Sequence, residues 1–88
     1  MAGILTAFHS GIAYLGKWNA DQRLAEMLVA GAEFRMNPSD ILTFLRNQGW
    51  SKSEQGNHLT HALSMVRASR ADLYTRAHFM FRQIYTAL

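Results

Sequence analysis

The sequence predicts an all-α fold, a small helical bundle of four to five helices with a long C-terminal helix. Apolar residues recur at intervals of three and four, which is the spacing of a helix with one buried face. No segment alternates steadily between apolar and polar residues, and no Asn-Gly or Asp-Gly pair marks a hairpin. Because 88 residues suffice for one domain only, we expect a single all-helical domain over 1–88.

The first predicted helix covers residues 3 to 15. Its apolar side chains share one face, and a second row consists of small residues four apart, Gly3, Ala7 and Gly11. Small residues at this spacing let another helix approach closely, so we expect a tight crossing within the same chain. The apolar face is formed by Ile4, Phe8, Ile12 and Leu15.

The second predicted helix begins near Asn19 or Asp21, either of which can serve as an N-cap, and runs to about residue 36. Its apolar residues recur at helical spacing, which predicts one buried stripe. The stripe consists of Leu24, Met27, Leu28, Gly31 and Phe34.

The boundaries of the third helix have the strongest local signals. Asn37 is placed to cap it, Pro38 occupies the first turn, and Asp40 favours the positive end of the helix dipole. Gly49 is expected to end it, with Trp50 folding back on the last turn. The inward-facing residues are Ile41, Leu42, Phe44 and Leu45.

The next helix starts with a capping box, since Ser51 and Glu54 have the required spacing. Beyond it, neither glycine nor proline occurs from residue 57 to residue 88. At about 100° per residue, the apolar residues of this stretch fall in one arc without a change of phase. The arc contains Leu59, Ala62, Leu63, Val66, Leu73, Tyr74, Ala77, Met80, Phe81, Ile84, Tyr85 and Leu88.

The unbroken phase favours one helix of about 35 residues, roughly 50 Å long at 1.5 Å per residue. Arg70 is an exception, because it falls in the middle of the apolar arc. Ser69 and Asp72 also have the spacing of a second capping box. A break near Ser69 therefore remains the alternative, although we favour a continuous or merely kinked helix.

The composition predicts that another chain covers part of the surface. Hydrophobic residues make up 49% of the chain, which excludes a disordered protein. Only 17% are charged, against about 25% in typical soluble proteins, although a small domain has much surface to cover. The alternative to a covering partner is a surface made of uncharged polar residues. The absence of cysteine excludes disulfides and a cysteine-based zinc site.

These observations predict a non-enzymatic protein-binding module that acts through an apolar, aromatic helix face. It would be a homo-oligomeric assembly subunit, with a dimer favoured, or an adaptor, regulator or inhibitor that docks on a larger partner. A continuous last helix would carry its far end beyond the other helices, where a partner would cover it. The predicted interface residues are Tyr74, Phe81, Ile84 and Tyr85, with Arg70 and Arg82 setting register or partner choice.

The uneven charge supports a second hypothesis, a small DNA- or RNA-binding regulator. Residues 1–44 carry three basic and four acidic side chains, whereas residues 45–88 carry six basic and two acidic ones. Seven of the nine basic residues are arginine, which suits phosphate contacts. Around the helix, however, the arginines scatter and form no single stripe. The residues of this alternative are Lys52, Arg67, Arg70, Arg76 and Arg82.

Catalysis and metal binding are not expected. Glu54, His58 and His61 could present three ligands on one helix, but no fourth ligand is evident, and we interpret them as exposed polar residues. Glycine-rich phosphate loops and nucleophile motifs are missing from the sequence, so we expect neither an enzyme nor a cofactor. The apolar stretch over 2–15 is shorter than the roughly 20 residues that span a bilayer, and no signal peptide precedes it, which favours a cytoplasmic protein without membrane contact. A helix that lies on a membrane surface is a third possibility for the function.

Overall fold

The computed structural model describes residues 16–88, with side chains from Ala20 onward. Within this range the protein is all α, as predicted, and contains no strand. The helices are α1 (Gly16–Phe34), α2 (Pro38–Asn47), α3 (Lys52–Ser69) and α4 (Tyr74–Ala87), and a 3₁₀ turn (Ala71–Leu73) precedes α4. The helix predicted over residues 3 to 15 lies outside the described residues.

Helix α1 is held by a face of leucine and alanine side chains. Leu24 and Leu28 are fully buried, and Ala25 is buried beside them. The helix is already formed at Gly16, ahead of the predicted start. Asn19 and Asp21 therefore both lie within α1 and neither is its N-cap, which corrects that part of the prediction.

The prediction that Phe34 belongs to the buried stripe of α1 is wrong. Phe34 is the last residue of the helix, and its side chain is 77% exposed. The packed face of α1 is centred on Leu24 and Leu28, and α4 approaches it closely at Gly31. A Cβ atom added to Gly31 would lie 2.5 Å from Cε of Met80, so the glycine leaves the space that this methionine occupies. The other predicted members of the stripe are buried or partly buried.

The predicted start of α2 is confirmed. The side chain of Asn37 accepts a hydrogen bond from the backbone N–H of Ser39 at 3.0 Å, and Pro38 occupies the first turn. Ile41 and Leu45 are fully buried. The remaining two inward-facing residues, Leu42 and Phe44, pack against the core while staying partly exposed.

The corner between α2 and α3 also forms as the sequence predicts. The Ser51 hydroxyl accepts the Glu54 N–H at 3.1 Å, and the Glu54 carboxylate accepts the Ser51 N–H at 2.9 Å, which completes the capping box. Gly49 turns the chain with φ 81°. The Trp50 ring packs against the core and stacks on His58 of α3, with the ring centroids 3.8 Å apart.

The continuous C-terminal helix that we favoured is wrong, and the alternative break near Ser69 is correct. Helix α3 ends at Ser69, and Arg70 leaves the helical conformation with φ −137° and ψ 62°. Continuing the helix would have turned the Arg70 guanidinium into the apolar arc, where an unpaired charge is costly. The principal dimensions of 32, 31 and 20 Å likewise leave no room for a 50 Å rod.

The break does not use the predicted second capping box. The Ser69 hydroxyl donates to the backbone carbonyl of Met65 at 2.8 Å instead of capping the next turn. Arg70 stabilises the break by donating two hydrogen bonds to the Asp72 carboxylate, at 3.1 and 3.0 Å. The pKa of Asp72 is lowered because it accepts these bonds from Arg70.

Helix α4 folds back onto the bundle and forms a three-helix core with α1 and α3, while α2 packs mainly against α4. The apolar arc predicted for residues 59–88 is therefore divided between two antiparallel helices, and most of its members are buried in the core that these helices share with α1. Its core members are Leu59, Ala62, Leu63, Val66, Leu73, Ala77, Met80 and Ile84.

We predict that Ser51→Ala lowers the free energy of unfolding by about 1 kcal/mol, because it removes the side-chain acceptor of the capping box. Urea denaturation followed by circular dichroism measures the change. Ser53→Ala is the matched control, since Ser53 is exposed in the first turn of α3, and we expect it to leave stability nearly unchanged. Equal losses in both variants would contradict the role of the cap.

Candidate functional site

Four rings on α4 form a continuous surface strip, which we call the aromatic row. It consists of Tyr74, His78, Phe81 and Tyr85, and intervals of four, three and four place these residues along one side of the helix. Adjacent ring centroids lie 5.8, 5.8 and 5.3 Å apart, within the range of favourable ring contacts. The rings thus support one another in an ordered arrangement.

The aromatic row rests against α3 at both ends. Tyr85 lies over Gly56, where an added Cβ atom would come within 3.3 Å of the tyrosine ring, so the glycine permits the contact. The Arg67 guanidinium lies over the ring of Tyr74 at 5.7 Å from its centroid, a cation–π arrangement. Tyr74, His78 and Phe81 are partly buried and Tyr85 is 51% exposed, so the outer edges of the rings face solvent.

The structure brings most of the predicted interface residues together. Tyr74, Phe81 and Tyr85 belong to the aromatic row, and Arg82 lines a shallow cavity of about 360 Å³ beside His78. Ile84 is a correction, because it is fully buried among core residues and is not available to a partner in this fold. It points inward because α4 folds back instead of extending beyond the bundle.

Arg70 lies at the α3–α4 break and not in the aromatic row. Besides its bonds to Asp72, its guanidinium lies 3.6 Å from the Glu33 carboxylate of α1. The pKa of Arg70 is raised, first through its hydrogen bonds with Asp72. The guanidinium is therefore occupied by partners within the chain.

The residues of the nucleic-acid alternative remain scattered. Lys52 is exposed at the start of α3, and Arg67 at its end contacts Tyr74. On α4, Arg82 lies beside the aromatic row, whereas Arg76 lines a separate cavity with Phe79. The fold does not gather these cations into one phosphate-binding stripe.

A second cluster, missed by sequence reasoning, joins α1 to α3. The Asp21 carboxylate is buried, and its two oxygens lie 2.7 Å from Nδ1 of His58 and 2.7 Å from Nδ1 of His61. Because an ionised carboxylate can only accept, each Nδ1–H donates, which leaves Nε2 as the free nitrogen of both rings. His58 is further held between this carboxylate and Trp50.

The interpretation of His58 and His61 as merely exposed polar residues is thus corrected. Their spacing of three places both on one face of α3, but Asp21 lies 37 and 40 residues away, and no local pattern points to it. Histidine rings oriented by a carboxylate are common around metals. Among the residues that the structure describes, however, no group of three or more histidines and acidic residues could hold a metal ion.

Two exposed phenylalanines were also missed as surface residues. Phe34 is 77% exposed and Phe79 is 68% exposed. The helical periodicity around Phe79 could have indicated its position, since it lies opposite the buried arc of α4. Helical periodicity placed Phe34 in the buried stripe, but the packed face of α1 does not extend to this last residue of the helix.

Comparison of the chain with protein-family models, curated proteins and solved structures gives no significant match. No helix between residues 16 and 88 is both long enough and apolar enough to cross a membrane.

We predict that Asp21→Ala lowers the free energy of unfolding by about 1–3 kcal/mol, since two charge-assisted hydrogen bonds are lost. His61 is half-exposed and water compensates part of the loss there. Asp40→Ala is the control, because Asp40 is exposed in the first turn of α2 and contributes only through the helix dipole. Similar losses for both variants in urea denaturation would show that the cluster does not tie α1 to α3.

We predict that Ile84→Ala lowers the free energy of unfolding by about 2–5 kcal/mol, as expected for a side chain removed from a packed core. Tyr85→Ala, which removes the neighbouring half-exposed ring, should cost clearly less. Thermal and urea denaturation of the two variants provides the comparison. A stable Ile84→Ala protein would return Ile84 to the list of surface residues.

Proposed function

We propose that the chain is a non-enzymatic protein-binding module and that the aromatic row of α4 is its binding surface. The observation that carries this proposal is the row itself, a strip of mutually supported rings with exposed edges. Tyrosine, phenylalanine and arginine are enriched at protein interfaces. Tyrosine and arginine are also enriched among the few side chains that contribute most of the binding energy. Rings that are already ordered lose little side-chain entropy when a partner covers them.

The charge of α4 indicates the kind of partner. Arg82 lies beside the aromatic row, and α4 contains no acidic residue. A partner that presents apolar side chains next to acidic ones is therefore favoured over a second copy of the same row, which would bring like charges together. An adaptor, regulator or inhibitor docked on a larger protein fits this description. A cytoplasmic location stays a prediction.

Nucleic-acid binding is the second candidate, and one contact favours it. Arg67 over Tyr74 at the end of a row of rings resembles the stacking platforms that bind single strands. The other basic residues of this alternative are scattered over the surface and therefore give nucleic-acid binding less support. Titration of a labelled single-stranded oligonucleotide at about 50 and 200 mM salt separates the candidates, because phosphate binding weakens steeply over this range.

We predict that Phe81→Asp weakens peptide binding by about 30-fold or more, the effect of losing a central interface residue. The ligands are helical peptides selected from a display library on the immobilised full chain, and titration calorimetry measures their affinity. We expect the selected peptides to combine apolar and acidic residues, and the helical circular dichroism of the variant to stay close to that of the wild type.

Gln83→Asp is the matched control, since it adds the same charge to α4 on the side away from the aromatic row. It should leave the affinity of the selected peptides nearly unchanged. Peptides that bind Phe81→Asp as tightly as the wild type would place the binding surface elsewhere. Loss of the helical signal in Phe81→Asp would instead make Phe81 a core residue and end the proposal.

A further inference from the structure

A groove lies where the end of α1 and the start of α2 face α4, on the side of α4 away from the aromatic row. We call it the α1–α4 groove. Residues of three helices and of the α1–α2 connection line it, and it encloses about 620 Å³. This volume is within the range of small-molecule sites, about 300–1,000 Å³. Its apolar lining consists of Gly31, Ala32, Met36, Pro38, Phe79 and Met80.

The apolar lining suits a ligand with an apolar body. Gly31, Ala32 and Met80 are buried and form the floor of the groove, whereas Phe79 is 68% exposed at its edge. Methionine side chains are flexible and polarizable, so Met80 can adapt to the shape of an apolar ligand. A ligand that covers Phe79 also removes part of an exposed ring from water, which favours binding.

Two basic side chains line the same groove without a partner in the chain. Arg35 follows the end of α1, Arg76 lies in the first turn of α4, and both are exposed. In the part of the chain that the structure describes, neither guanidinium forms an ion pair. Glu33 also lines the groove, but its carboxylate lies 3.6 Å from the Arg70 guanidinium. The groove thus offers two unpaired guanidinium groups, which suit the oxygens of a carboxylate.

Arg35 has a backbone conformation that is costly for an arginine. Its φ is 57°, in the left-handed region, and its backbone N–H donates to the Gly31 carbonyl at 3.0 Å at the end of α1. Glycine is the usual residue at such a helix end, because it has no Cβ atom to crowd the backbone. Strained residues of this kind cluster at ligand sites. The strain at Arg35 is therefore a second observation, independent of charge, that points to this groove.

We propose that the α1–α4 groove binds a small amphiphilic carboxylate. Arg35 and Arg76 hold the carboxylate, and the apolar body lies on Met80 and Phe79. Charge complementarity favours an anion, and the apolar floor favours an amphiphile over a simple ion. The limited volume favours a small molecule over a longer peptide. The proposal does not rest on the aromatic row, which lies on another side of α4.

Hexanoate is the probe, titrated into the ¹⁵N-labelled full chain and followed by NMR chemical shifts. We expect saturable binding in the millimolar range, with the largest shifts at Gly31, Met36 and Phe79. Acetate has the same carboxylate without the apolar body, and hexanamide has the same shape without the charge. Both should bind about 10-fold more weakly or worse, because each lacks one of the two interactions.

Arg35→Gly separates ligand binding from folding. It should weaken hexanoate binding by about 10-fold or more, since a charge-assisted contact is lost. It should also raise the urea midpoint of unfolding, because glycine relieves the left-handed conformation. Arg76→Gln should weaken binding to a similar degree. Arg46→Gln is the matched control, an exposed arginine in the last turn of α2 outside the groove, and it should leave binding unchanged.

Three results would overturn the proposal. Equal affinities for hexanoate and hexanamide would show that the two arginines contribute nothing. Shifts concentrated at Val29 and Met65 would assign the ligand to a different groove, between α1 and α3. A loss of stability in Arg35→Gly would make its guanidinium part of the fold and not a ligand contact.

Two variants distinguish this site from the aromatic row. Gln83→Asp adds a negative charge to the lining of the α1–α4 groove, so it should weaken hexanoate binding while peptides still bind the aromatic row. Phe81→Asp should do the reverse, because Phe81 lies outside the groove. Either proposal can therefore fail while the other holds.

Discussion

The desolvation of one guanidinium determines how the second half of the chain folds. Arg70 lies at a position where a continuous helix would bury it, and burying an unpaired charge costs more than ending a helix. The helix therefore breaks, Arg70 pairs with Asp72 and approaches Glu33, and the chain reverses direction. Because α4 then returns along the bundle, its apolar arc is covered by α1 and α3. Both the burial of Ile84 and the position of the aromatic row at the edge of the core follow from this reversal.

Two surfaces of the bundle differ in how their aromatic side chains are held. On α4 the rings pack against one another and against α3, so the surface is ordered before any partner arrives. At the end of α1, Phe34 projects beside a groove that other apolar residues form. The aromatic row is therefore a fixed strip, whereas Phe34 projects into solvent.

Those parts of the fold that depend on neighbouring residues could be predicted from the sequence. Both caps form within four residues, at Asn37 and at Ser51, and the helical arc of 59–88 follows from periodicity alone. The sequence indicated a possible break, because Arg70 interrupts the apolar arc. Whether the helix ends there depends on the free-energy cost of burying the Arg70 charge in the assembled core, which the sequence does not give. Contacts between distant segments could not be derived, and Asp21 with its two histidines is the clearest case. The exposure of Phe34 was missed for a related reason, since the packing of both α3 and α4 against α1 decides which of its residues are buried.

The bond pattern of Asp21 has a consequence for the alignment of α1 and α3. Apolar faces of two helices fit nearly as well after one slides past the other by a turn, about 5.4 Å, so leucine and alanine contacts alone leave several alignments close in energy. The Asp21 carboxylate accepts a hydrogen bond from a different imidazole at each of its two oxygens, and only one alignment of the helices allows both bonds. A slide in either direction would separate the acid from at least one ring and leave a buried acceptor without its donor. Asp21 therefore selects a single native alignment from a set that hydrophobic packing would leave degenerate.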